Sequence, residues 1–117
     1  MKATMYGIPN CNTVKDAQKW LEDNNIEYHF HDFKKNGITE KQLKQWCTEL
    51  GWETLVNRKG LTWRQLPSSK KEGLNESKAI KLMLEKPTLI KRPVLDVGTR
   101  RLVGFDISQY MAVFARP

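Results

Sequence analysis

Cys11 is the residue whose type and position best suit nucleophilic chemistry. It follows an apolar, β-prone stretch at residues 2–6 and the breaker sequence of residues 7–10, and a helical pattern begins at Thr13. The thiol is therefore predicted at the start of a helix, where unpaired backbone N–H groups and the positive end of the helix dipole favour a thiolate. The nearby side chains are polar or basic, unlike those around a core cysteine: Asn10, Asn12, Thr13 and Lys15.

The second cysteine, Cys47, shares the apolar face of a predicted helix with Leu43, Trp46 and Leu50, which indicates a buried, inert thiol. Val14 stands three positions after Cys11, so the chain has no C-x-x-C pair. A disulfide formed at Cys11 would then need an external thiol to resolve it. We expect glutathione as the co-substrate, because its two carboxylates suit arginine side chains.

Composition narrows the class of partner and the compartment. Residues 58–101 carry twelve basic and four acidic side chains, which accounts for all the excess positive charge and predicts an anionic substrate or partner. The chain has no long apolar run and no signal peptide, so we expect a cytoplasmic protein that binds no membrane. Two distant cysteines make neither a structural disulfide nor a zinc site, and no metal is predicted.

The elements that must position Cys11 follow from hydrophobic periodicity. Residues 1–33 are predicted as a βαβ unit, with alternation over 27–33 placing His29 and His31 on one side of the second strand. Residues 38–86 form a helical insertion, and residues 88–117 form a ββα unit. These pieces predict an α/β protein of thioredoxin-like fold, a mixed four-stranded sheet forming a single domain over residues 1–117. His29 and His31 lack a third metal ligand on that strand face.

Two local predictions refine the helices. Thr39 and Gln42 have the spacing of a capping box, which starts the helix that carries Cys47. The last helix is expected to begin at Asp106 or Ser108. Its predicted inner face comprises Ile107, Tyr110, Met111 and Phe114.

Four motifs in order along the chain resemble the arsenate reductase/Spx superfamily, most of all its YffB-like branch of glutathione-dependent thiol reductases. They are Y-G-I-P-N-C-N-T-V-K-D-A at 6–17, N-R-K-G at 57–60, L-I-K-R-P-V-L at 89–95 and R-L-V-G-F at 101–105. The resemblance implies that Cys11 is the nucleophile and that Lys15, Arg58 and Arg92 contact the substrate or glutathione. It further implies that Pro93 is the cis-proline of the active site.

One departure from the family pattern bears on the substrate. Arsenate reductases carry a third arginine where this chain has Gly104, while Arg100 and Arg101 fall in or beside a predicted turn. Losing one charge-assisted contact costs about 1.5–3 kcal/mol. The departure therefore argues against arsenate as the physiological substrate.

The sequence thus predicts a glutathione-dependent thiol/disulfide oxidoreductase whose substrate is a small thiol, disulfide or oxyanion. Two alternatives stay open. One is an Spx-like redox-sensing regulator that binds RNA polymerase, although the Spx C-x-x-C switch is lost at Val14. The other is a true arsenate reductase. Direct binding of nucleic acid is disfavoured, since the basic residues lack a recognition-helix pattern or interleaved stacking aromatics.

Overall fold

The computed structural model describes residues 2–115 and contains a mixed sheet of four strands in the order β2-β1-β3-β4. The strands are β1 Ala3–Gly7, β2 Tyr28–Asp32, β3 Val94–Asp96 and β4 Arg101–Val103. β1 runs parallel to β2 and antiparallel to β3, and β3 and β4 form an antiparallel hairpin. The predicted four-stranded mixed sheet is confirmed.

Helices connect and follow these strands. None of them, over residues 2–115, combines the length and apolar character needed to cross a membrane. They are α1 Asn12–Asp23, α2 Phe33–Asn36, α3 Glu40–Leu50, α4 Trp52–Leu55, α5 Leu61–Gln65, α6 Ser68–Lys71, α7 Glu76–Glu85, a 3₁₀ helix Pro87–Leu89 and α8 Ile107–Phe114.

Contacts within the chain group it into two units. The sheet unit comprises the residues up to Asp32 and those from Arg92 onward, so it holds all four strands with α1 and α8. The helical unit comprises Phe33–Lys91 and holds the remaining helices.

The core of the sheet unit forms on one face of the sheet. Met5, Leu95 and Leu102 are paired neighbours on three strands, and all are buried. Helix α1 adds Val14, Ala17 and Leu21 to the same cluster, and α8 adds Tyr110. Burying a large apolar side chain stabilises the fold by about 1.5–3 kcal/mol, so this cluster is what fixes α1, and with it Cys11, against the sheet.

The helical unit has a second core between α3 and α7. Helix α3 begins at the predicted capping box: the Thr39 hydroxyl accepts from the Gln42 amide, and the Gln42 side chain accepts from the Thr39 amide. Its inner face buries Leu43, Trp46 and Cys47, as predicted. Helix α7 buries four residues: Ala79, Ile80, Leu82 and Met83.

The predicted inner face of α8 is wrong in part. The Asp106 side chain accepts from two amides of the first turn and so starts the helix. Tyr110 is fully buried, but Ile107 and Met111 are 51% and 59% exposed. Val113 packs against the core in their place. Because six of the eight residues of this short helix are apolar, periodicity does not define which side faces inward.

Candidate functional site

Cys11 is the N-cap residue of α1. Its backbone is extended, with φ −138° and ψ 122°, and its carbonyl accepts the first helical hydrogen bond from the Lys15 amide at 2.9 Å. No amide of the described chain donates a capping hydrogen bond to its side chain, and the first turn of α1 carries no acidic residue. The half-buried thiol therefore lies at the positive end of a twelve-residue helix, without a nearby carboxylate in that turn.

A close approach between β1 and α1 sets the position of Cys11. A Cβ atom added at Gly7 would lie 2.9 Å from Cγ2 of Val14, closer than carbon atoms in proteins pack. Glycine at the end of β1 thus lets the first turn of α1 lie directly against the strand. Val14 is fully buried in this contact, which explains why the position three residues after Cys11 is apolar.

The strand directions bring a second predicted element to the same end of the sheet. Tyr6, near the end of β1, pairs with Val94, the first residue of β3. Pro93 precedes Val94, and the Arg92–Pro93 peptide bond is cis, as the family resemblance implied. Cys11 follows the end of β1, and the cis-proline precedes the start of β3. These two strand ends lie side by side in the sheet. Pro93 is buried, whereas Arg92 is half-buried.

Gly104 belongs to this end of the sheet as well. Its amide donates to the Pro93 carbonyl at 2.8 Å, just after β4 ends. Its φ is +78°, in the left-handed region that side-chain-bearing residues rarely adopt. The backbone that supports the cis-proline therefore favours glycine where the family pattern has an arginine.

Arg100 and Arg101 do not take the place of that arginine. Arg101 pairs with Asp96, and Asp96 pairs with Thr4 near the start of β1, so the hairpin turn lies at the sheet end opposite to the one that leads to Cys11. Nε of Arg101 lies 3.7 Å from the Asp96 carboxylate, and Arg100 is exposed in the turn.

The other predicted site residues of the sheet unit flank Cys11 and are exposed to solvent: Asn10, Asn12, Thr13 and Lys15. Lys15 stands one turn along α1 from the N-cap, where an ammonium group adds positive charge to the helix start. His29 and His31, to which the sequence analysis assigned no metal, do not join them. His31 stacks on Tyr6 with ring centroids 4.7 Å apart, and His29 is exposed.

Cys47 has the opposite surroundings to Cys11. It is 4% exposed within α3, and burial, reinforced by the charge of Glu76, raises the pKa of its thiol to about 11. At neutral pH Cys47 is therefore a protonated core side chain, as the sequence predicted.

Arg58 lies in the helical unit, between α4 and α5. Its guanidinium carbon is 5.4 Å from the ring centroid of Trp52 and 5.8 Å from that of Trp63. Nζ of Lys71 lies 5.2 Å from the Trp63 ring as well. The sequence analysis singled out Arg58, but it predicted no contact with Trp52, Trp63 or Lys71. Trp52 and Trp63 stand on either side of Arg58 in the sequence, so the expectation that no aromatic residues interleave with the basic ones is wrong for this stretch.

Comparison with known proteins gives a consistent result. The model of the ArsC family matches residues 6–113. A solved structure of the YFFB protein is 48% identical, covers 97% of this chain and 99% of its own, and superposes with a TM-score of 0.94. An arsenate reductase (ArsC) related protein from Brucella melitensis is 43% identical, covering 99% and 97%, with a TM-score of 0.78.

Curated relatives extend the comparison. An uncharacterized protein of Haemophilus influenzae is 45% identical over 96% of this chain and 98% of its own length. The global transcriptional regulator Spx of Streptococcus pneumoniae is 24% identical over 97% of this chain and 86% of its own length. The fold is thus that of the thioredoxin-like ArsC proteins, as predicted.

Proposed function

Because this chain belongs to the ArsC family, we propose that it is a glutathione-dependent thiol/disulfide oxidoreductase that reacts through Cys11. The observation that carries the proposal is the contrast between the two thiols. Cys11 caps the N-terminus of α1, whereas Cys47 is buried and protonated. A single reactive thiol suits a reaction in which a second, external thiol completes the cycle.

The proposed reaction consists of two thiol–disulfide exchanges. The Cys11 thiolate attacks the glutathione sulfur of a mixed disulfide, and the substrate sulfur leaves as a thiolate that takes up a proton. A glutathione thiolate then attacks the Cys11–glutathione disulfide, which releases oxidised glutathione and restores the Cys11 thiolate. The substrate is reduced by two electrons, and two glutathione sulfurs are joined in exchange.

The chain's own groups support the first step in two ways. The first-turn amides and the dipole of α1 stabilise negative charge on Cys11 before attack, and Lys15 adds a positive charge one turn away. Pro93, whose carbonyl accepts from the Gly104 amide, lies at the same end of the sheet. We propose that the disulfide is bound at this end of the sheet beside Pro93, with Asn10, Asn12 and Thr13 as polar contacts.

The basic side chains supply recognition of the anionic substrate. We propose that Arg92, in the sheet unit, binds a carboxylate of glutathione. We propose separately that Arg58, in the helical unit, binds an anionic group of the substrate. A guanidinium presents paired N–H donors that match a carboxylate in a bidentate arrangement. We propose a cytoplasmic location as well, because the reducing cytosol keeps glutathione and protein thiols reduced.

A turnover screen tests the proposal. Wild type, Cys11→Ser and the matched control Cys47→Ser are assayed with glutathione and either a glutathione–mercaptoethanol mixed disulfide or arsenate. We expect disulfide reduction by wild type and Cys47→Ser, and its loss in Cys11→Ser. Equal activity of the two serine variants would contradict a role for Cys11. Turnover of arsenate but not of the disulfide would favour the arsenate reductase alternative.

Binding of glutathione tests the arginine separately. Glutathione binding is measured by calorimetry in the Cys11→Ser protein. Adding Arg92→Ala to this protein should weaken glutathione binding by about 1.5–3 kcal/mol, the value of one lost charge-assisted contact. Arg100→Ala is the matched control, because it removes the same charge at the far end of the sheet. Equal loss in both variants would indicate a general charge effect.

The relative that is a global transcriptional regulator supports a second candidate. This candidate is the alternative that the sequence left open, a redox-sensing regulator that binds RNA polymerase. Val14 weighs against it, because this buried residue occupies the place of the second switch cysteine. Binding of the chain to purified bacterial RNA polymerase, together with a failed turnover screen, would favour the regulator. Turnover without such binding would favour the enzyme.

A further inference from the structure

Arg58 is restrained by aromatic faces. Its guanidinium carbon lies 5.4 Å and 5.8 Å from the ring centroids of Trp52 and Trp63, both within the range of a cation–π interaction. Both indoles are half-buried, so the helical unit limits their motion as well. An exposed arginine normally samples many rotamers, and two such contacts restrict that freedom.

The backbone beside Arg58 is fixed in the same way. The Asn57 amide donates to the Leu89 carbonyl at 2.9 Å, and the Asn57 side chain accepts from the Lys59 amide at 3.1 Å. Val56 forms a bridge with Ile90. Arg58 therefore extends from a turn that is hydrogen-bonded on both sides.

The hydrogen-bonding capacity of Arg58 is unused. The exposed guanidinium forms no hydrogen bond and no ion pair with any residue of the described range 2–115. A cation–π contact engages the face of the ion, and it leaves the N–H edge available for an acceptor. A fork of N–H donors that is held in place but not consumed is suited to bind a planar carboxylate or a tetrahedral oxyanion.

The surrounding charge favours the same class of ligand. Residues 54–71 contain five basic side chains and no acidic one. Lys71, over the Trp63 ring, places a second cation beside the same indole. A local excess of positive charge attracts anions and raises their local concentration.

We propose that Trp52 and Trp63 are positioning residues that preorganise Arg58 to bind a carboxylate or oxyanion through its N–H edge. This inference rests on the proposed function, in which Arg58 binds the anionic part of the substrate. In this proposal the indoles contact the arginine and not the anion. Their contribution is to reduce the conformational entropy that Arg58 loses when the anion binds.

Two measurements on the full chain test the proposal. The order parameter of the Arg58 Nε–Hε bond is measured by ¹⁵N relaxation without any ligand. Dissociation constants for inorganic phosphate and for oxidised glutathione are then measured by titration. The variants are Trp63→Leu, which removes the aromatic face, and Trp63→Phe, which keeps a smaller one. Arg58→Gln and the matched control Lys59→Gln each remove one charge.

We expect Trp63→Leu to lower the order parameter and to weaken both ligands about two- to fivefold, with Trp63→Phe in between. This range corresponds to the loss of one exposed cation–π contact. Arg58→Gln should weaken binding more than Lys59→Gln. If Trp63→Leu does not fold, Trp52→Leu applies the same test to the other indole.

The possible outcomes are distinct. An unchanged order parameter in the leucine variants would overturn the restraint, and a lower order parameter with unchanged dissociation constants would overturn its role in anion binding. The relaxation and phosphate measurements need neither glutathione nor Cys11. Inactivity of the wild type in the turnover screen would therefore refute the proposed function while these results still decide the role of the indoles.

Discussion

Alkylation of Cys47 as a function of pH tests the contrast between the two thiols. Burial and the charge of Glu76 raise the Cys47 pKa to about 11. At pH 8 about one thiol in a thousand is then ionised, against about one in four for an ordinary cysteine with a pKa near 8.5. The more basic thiolate is intrinsically more nucleophilic, by about tenfold for this difference in pKa. Ionisation alone should thus slow Cys47 by about twentyfold.

Steric protection acts in the same direction, because Cys47 is only 4% exposed. Iodoacetamide labelling followed by peptide mass spectrometry gives separate rates for Cys47 and Cys11 in one sample. Free N-acetylcysteine provides the reference for an ordinary thiol. We expect Cys47 to react at least twentyfold more slowly than this reference at pH 8, and more slowly than Cys11. Its rate should keep rising tenfold per pH unit until about pH 11.

A rate for Cys47 that levels off near pH 9, or that lies within threefold of the reference, would refute this reasoning. Glu76→Gln provides the matched test of the second cause. Removing the negative charge should lower the Cys47 pKa and shift the rise of the rate to lower pH. An unchanged profile in this variant would leave burial as the sole cause.

Three further predictions concern stability, each measured as the free energy of unfolding in urea. The buried Tyr110 hydroxyl has no hydrogen-bond partner within residues 2–115, so Tyr110→Phe should be neutral or stabilising by up to ~1–3 kcal/mol; a clear loss would reveal a missed partner. Gly7→Ala should cost about 1–3 kcal/mol because its Cβ meets the Val14 side chain. The same substitution should cost less when it is made in a Val14→Ala protein. Gly104→Arg should cost about 1–2 kcal/mol, because φ is +78° there; an unchanged stability would contradict this.

Alkaline pH offers a related check on Cys47. Its pKa is raised in the folded state, so the neutral thiol is the form that folding favours. The corresponding stability is fully present below the unfolded pKa of about 8.5 and is lost as pH rises toward 11. Cys47→Ala should remove this part of the alkaline loss, and identical pH profiles for both proteins would count against it.

Local signals in the sequence predicted the elements around Cys11 well. The breaker at residues 7–10 and the apolar spacing after Thr13 placed the start of α1 within one residue. Thr39 and Gln42 form the expected capping box. These features depend on residues three or four positions apart, and their geometry is therefore largely set by the local backbone.

The features that were missed depend on tertiary contacts. In α8, Tyr110, Val113 and Phe114 pack in or against the core while Ile107 and Met111 are exposed, and a helix with six apolar residues out of eight does not specify that side. Arg58, between α4 and α5, contacts Trp52 of the first helix and Trp63 of the second. Periodicity within a single element carries no information about such contacts.

The sheet topology bears directly on the choice of substrate. Of the three arginines described in the sheet unit, Arg92 alone adjoins the strand ends that lead to Cys11, since Arg100 and Arg101 lie at the opposite end. Gly104 cannot be exchanged for arginine there without strain, because its backbone is left-handed while its amide holds the Pro93 carbonyl. A tetrahedral oxyanion needs several charged donors around its oxygens, whereas a disulfide presents neutral sulfur to the nucleophile. The arrangement around Cys11 in the sheet unit thus supports a disulfide substrate, whose charged groups lie away from the reacting sulfur.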